Sequence, residues 1–252
     1  MASVPSATQW GSPAASKRAF LIHGNTSSSH TWESVAQALA RAGFLVTAPN
    51  LLGHGYRRSN KFRITEFAED LRPYFANTVY DVIIGHSLGG NVALALMPFL
   101  PQDRTTPVIL VDPGLELDQH LVESIRKIYT EEIRNVRSIE AQMAENPLWT
   151  REEAAYRVLA LRMAQSNLVE EVFAQNVPFS FGHLFSTIPP HVRVTVLVSD
   201  PELSNICRLE HVPTHPQVQK MLVKGVGHWI QLEKPGVVVN TALASIFKLT
   251  KW

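Results

Sequence analysis

Asp81-Val82-Ile83-Ile84-Gly85-His86-Ser87-Leu88-Gly89-Gly90 joins an apolar run to the helix-like stretch Asn91 to Phe99. The order is strand, tight turn, helix, with a serine at the apex. Such a turn leaves no room for a Cβ at its flanks, and Gly85 and Gly89 supply none. The pattern Gly-x-Ser-x-Gly is weak alone, but this context presents the Ser87 hydroxyl at the carboxyl end of a sheet, within reach of a base.

Working outward, strand-like and helix-like stretches alternate. Lys17 to Ile22, Phe44 to Pro49, Tyr80 to Ile84, Val108 to Val111, Val192 to Val198 and Val218 to Val223 read as strands. Thr31 to Ala42, Ile64 to Phe75 and Val237 to Leu249 read as helices. This alternation predicts an α/β protein with a mostly parallel central sheet of about six strands flanked by helices. Between Leu115 and Ser186 no strand is evident. Gln119–Val136, Ser138–Asn146 and Thr150–Gln165 read as helices there, with Pro147 dividing the second from the third. The expected division is a flexible N-terminus (1–17), a core formed by 18–114 and 187–252, and a helical cap (115–186).

The 252 residues carry 23 Lys and Arg against 22 Asp and Glu, a net charge of +1, which gives no footprint for nucleic acid or an anionic membrane. No apolar run approaches membrane-spanning length. The single cysteine, Cys207, rules out an internal disulfide and a cysteine-based metal cluster. A cytoplasmic location is expected, as a monomer or homodimer, with no metal or organic cofactor.

The serine needs a base. Among ten histidines, His228 in Gly225-Val226-Gly227-His228-Trp229 follows the final strand, where a loop can return an imidazole over the turn. It also fits the chain order serine, acid, histidine, whereas His23 and His54 do not. Three carboxylates compete to orient it. Asp200, just past the strand 192–198, is preferred; Asp112 also ends a strand, and Glu202 lies two residues beyond Asp200. An oxyanion developing on a substrate needs backbone N–H donors, expected from Leu88 and from Asn25 in the loop after the first strand.

Leu21-Ile22-His23-Gly24, Asn50-Leu51-Leu52-Gly53-His54-Gly55, Gly85-His86-Ser87-Leu88-Gly89-Gly90 and Gly227-His228-Trp229 through Pro235 together resemble the α/β-hydrolase superfamily, in its lid-bearing, small-molecule branch. The resemblance spans about residues 18 to 250 and depends little on substrate. It implies acyl transfer to water through a Ser87 ester, with Ser87 in place of the aspartate that the epoxide hydrolase and haloalkane dehalogenase branches carry. Three departures stand out. The stretch before Phe20 is too short for the family's first two antiparallel strands, Asn50 replaces a usual aspartate, and the acid loop Ser199-Asp200-Pro201-Glu202 is shortened.

Trp149, Phe179, Phe181, His183 and Trp229 are the expected substrate-binding residues, lining an apolar pocket suited to a hydrophobic small molecule. Ester or lactone hydrolysis is the leading expectation. Amide or carbon–carbon bond hydrolysis, lyase chemistry and a small-ligand receptor on the same scaffold are the alternatives.

Overall fold

The computed structural model describes residues 6–204 and 206–249. Seven strands form one sheet: β1 (Ala7–Trp10), β2 (Lys17–Ile22), β3 (Phe44–Pro49), β4 (Val82–His86), β5 (Thr106–Val111), β6 (Val192–Val198) and β7 (Val218–Leu222), in the order β1-β3-β2-β4-β5-β6-β7. All neighbours run parallel except β1, which pairs antiparallel with β3, from Ala7 opposite Pro49 to Trp10 opposite Val46.

This edge strand departs from the sequence expectation, which left residues 1–17 without regular structure. Its side chains explain the docking. The Trp10 indole donates to Glu33 Oε2 at 3.0 Å, Gln9 donates to the Thr47 hydroxyl, and the Thr8 and Ser29 hydroxyls lie 2.7 Å apart. Residues 1–5 of that predicted segment fall outside the described part of the chain.

The inner strands are buried on both faces, which explains their continuous apolar runs. Along β2, Phe20 and Ile22 face one layer while Ala19 and Leu21 face the other. The first layer holds α2 (Ile64–Leu71) and α3 (Leu88–Leu96), together with two of the inserted helices described below. The second holds α1 (Glu33–Arg41) and the chain-closing α9 (Pro235–Leu249), with the short α8 (Ile230–Glu233) preceding it. Phe20 anchors the first layer among Tyr74, Phe75 and Tyr80, with ring centroids 4.9 to 5.2 Å away.

Between β5 and β6 lie four helices: α4 (Gln119–Arg134), α5 (Ile139–Glu145), α6 (Arg151–Met163) and α7 (Leu168–Gln175). Asp118, Ser138 and Thr150 cap the first three, each accepting a backbone N–H three residues on. Thr150 and Glu153 complete a reciprocal capping box. The two ends of the insertion are stitched together: Leu117 N donates to Phe179 O and Phe181 N to Leu115 O, around a bridge between Glu116 and Ser180. No helix among the described residues is long and apolar enough to cross a membrane.

Candidate active site

Ser87 follows β4 and precedes α3, with φ 52° and ψ −120°. A non-glycine residue in that region is strained, and the strain is held by neighbours on both sides. Ser87 N donates to Val111 O, and Gly90 N returns a bond to Ser87 O. A Cβ on Gly89 would stand 2.3 Å from Ile22 O, so only glycine lets α3 approach the end of β2. Gly24 plays the same part for the loop after β2, since its Cβ would lie 3.0 Å from that of Ser87.

His228, in the loop after β7, donates from Nδ1 to Asp112 Oδ2 at 2.7 Å. Asp112 is fully buried at the end of β5, and its other oxygen accepts Ser199 N at 2.8 Å. Its backbone is left-handed, with φ 44°, and its N–H donates to Leu197 O. That conformation turns the carboxylate back toward the imidazole.

The preference for Asp200 is therefore corrected by geometry. Asp200 accepts Gly225 N through Oδ2 and Glu202 N through Oδ1, and these backbone bonds, Gly225 first, hold its carboxyl below the usual range. It pins the loop that carries His228 and leaves the imidazole to Asp112. Glu202 is exposed, and its recorded bond is the backbone donation to Asp200.

Behind His228 stands a layer of rings. His86 Nε2–H donates to the His228 carbonyl at 3.0 Å, and the two imidazole centroids are 4.7 Å apart. Burial, and the neighbouring His228, keep His86 well below its ordinary pKa, hence neutral. Trp229 packs on His86, His228 and Trp149.

In front lies an apolar cavity. Ser87, Leu88, Asn25 and His228 form its floor, while Leu117, Ile125, Tyr129, Val172, Phe173 and Phe179 are among its walls. Its free volume is about 20 Å³, room for one or two waters. Among the expected pocket residues only Phe179 lines it. Phe181 packs edge-on against Phe179, Trp149 and Trp229 belong to the layer behind His228, and His183 is exposed. Ile125, Val172 and Ile206 give no sequence signal, because an isolated aliphatic residue reads as core. Burial raises the Tyr129 hydroxyl to about 12, so it stays protonated.

At the cavity floor, the backbone N–H groups of Asn25 and Leu88 have no hydrogen-bond partner among the described residues. The Asn25 side-chain nitrogen is also buried without a partner, while its oxygen accepts Thr26 N. Two buried histidines support this loop. His54 accepts Thr26 N at 3.1 Å and His23 accepts Leu51 N at 3.0 Å, each donating its other nitrogen to a nearby carbonyl. Burial lowers His23 to about 4 and His54 well below its usual value. Asn50 serves its turn as an amide, accepting Ser29 N at 2.8 Å.

One residue on the insertion went unsignalled in the sequence. Arg157 of α6 is 1% exposed, and a lone arginine on a helix ordinarily reads as a solvated face. It donates to the carbonyl and hydroxyl of Thr26 and to Glu132 of α4, and its guanidinium lies over Trp229.

The chain is similar to known proteins at three levels. A family model described as "Alpha/beta hydrolase family" matches residues 19–241. An uncharacterized protein of Mycobacterium tuberculosis is 34% identical over 108 residues, which are 40% of this chain and 31% of that protein. Lipase LipV of the same organism is 31% identical over 116 residues, 45% of this chain and 43% of the lipase. Both matches span less than half of the relative's length. A solved carboxylesterase of the thaumarchaeon Nitrososphaera gargenis superposes with a TM-score of 0.73 at 18% identity, covering 98% of this chain and 95% of that one, a likeness of fold. With the family model spanning β3 to β7, the serine turn and the His228 loop, the chain belongs to the α/β hydrolase family.

Proposed function

We propose that the protein is a serine hydrolase that cleaves an ester or lactone of a small hydrophobic molecule through an acyl-enzyme on Ser87. The observation that carries this reading is the Asp112–His228 pair, whose imidazole lines one cavity with Ser87 and with Leu88 and Asn25, two residues that keep free backbone N–H groups.

Asp112 holds the His228 Nδ1–H, which leaves Nε2 as the proton acceptor. Nε2 takes the Ser87 proton as Oγ attacks the substrate carbonyl. The charge that develops on the carbonyl oxygen is met by the N–H groups of Leu88 and Asn25, with the unpaired Asn25 amide nitrogen as a third donor. His228 then protonates the leaving alcohol. In the second half, it activates water to attack the Ser87 ester, and the acid product departs.

The walls favour an apolar acyl or alkyl group. They also make residues 115–186 a cap: with free volume for one or two waters, substrate entry displaces the walls built from α4 and α7. The test is hydrolysis of a p-nitrophenyl ester series beside aromatic lactones, with Ser87→Ala as control. Turnover lost in the variant supports the reading, and equal rates in both proteins contradict it.

A further inference from the structure

We propose that Arg157 is a positioning residue for the oxyanion hole, acting from the cap through the backbone of Thr26. This rests on the serine hydrolase reading and adds a residue that touches neither Ser87 nor His228.

Thr26 directly follows Asn25, which lines the cavity, and it holds a left-handed backbone with φ 58°. A β-branched residue does not keep that conformation unaided. Arg157 supplies what holds it: one guanidinium nitrogen donates to both Thr26 O at 2.7 Å and Thr26 Oγ1 at 2.9 Å. From the other side, His54 accepts Thr26 N. The peptide that aims Asn25 is therefore clamped between the core loop and the cap.

The guanidinium is itself fixed. Its second nitrogen donates to Glu132 Oε2 at 2.5 Å, and Glu132 also meets Arg137, which pairs with Glu145. The Trp229 ring lies 4.8 Å from the guanidinium carbon, so the same side chain backs the residue next to the base. A buried charge with this many partners is costly to place. Here it joins α4 and α6 to both ends of the catalytic apparatus, so displacing the cap withdraws Arg157 and loosens the oxyanion donors. The hole is fully set only when the cap is closed over substrate.

The experiment compares wild type with Arg157→Lys and with the double variant Arg157→Met/Glu132→Leu, which removes the buried charge together with its carboxylate partner. The substrate is the best p-nitrophenyl ester, thermal melting reports folding, and affinity for an alkyl boronic acid reports the tetrahedral state. The folded double variant is expected to lose about 10²-fold in kcat, with KM within about threefold and boronate affinity falling in parallel. Arg157→Lys is expected to recover part of kcat, since it keeps the charge beside Glu132 and fewer donors. A folded double variant with kcat within about threefold of wild type overturns the proposal. If the double variant does not melt cooperatively, Arg157→Lys decides: a kcat loss of about tenfold or more supports the role, and an unchanged kcat overturns it. A wild type that turns over no ester and takes no serine-directed label overturns the hydrolase reading itself, and Arg157's role with it.

Discussion

At the scale of single residues, the candidates Ser87 and His228 are legible because their settings are written in glycines and chain order. The carboxylate that pairs with His228 is not. Asp112 and Asp200 both follow strands, and composition does not distinguish them. What separates them is backbone conformation and burial: Asp112 turns inward at φ 44° with no exposure, while Asp200 spends both oxygens on loop N–H groups. Their substitutions should therefore diverge. Asp112→Asn is expected to lower kcat by about 10³–10⁴-fold, the scale seen when a catalytic histidine loses its orienting carboxylate. Asp200→Asn is expected to lower it by less than about tenfold, through a looser Gly225 loop. Steady-state kinetics on one ester compares them.

At the scale of elements, the helices 119–134, 139–145 and 151–163 are readable from their helix-forming composition and from Pro147 between the second and the third. The fourth, Leu168–Gln175, is only eight residues long and gives too short a pattern to stand out. Strand β1 escaped for a related reason. Ala7–Trp10 is an edge strand only partly buried, held by side-chain bonds rather than by an apolar run. The serine turn has little tolerance for added volume. Gly89→Ala would press a methyl group against the Ile22 and His23 carbonyls at 2.3 and 2.5 Å. A loss of about 3 kcal/mol or more is expected, measured by denaturant unfolding, because backbone on both sides blocks relaxation.

At the scale of the whole molecule, the parallel sheet followed from the alternating strands. The wall of the cavity did not, since it is assembled from side chains on α4 and α7 that meet only after folding. The buried histidines give the molecule a common acid sensitivity. His23, His54 and His86 all have folded pKa values below the unfolded value of about 6.5. The unfolded chain then binds more protons, so stability is fully present above about pH 6.5 and falls as pH drops toward 4. His23 alone, at about 4 when folded, accounts for about 3 kcal/mol over that window. Tm measured from pH 7.5 down to 4.5 should fall steeply, and replacing His23 with Gln should flatten the slope while lowering Tm at neutral pH.

The proposed activation of Ser87 by Asp112 through His228 is read from the rate at which an alkyl fluorophosphonate modifies the enzyme, followed by intact mass and peptide mapping. A single adduct on Ser87 is expected, absent in Ser87→Ala, formed far more slowly in Asp112→Asn, and formed at near wild-type rate in Asp200→Asn. An adduct on another residue, or equal rates in Asp112→Asn and wild type, would contradict it.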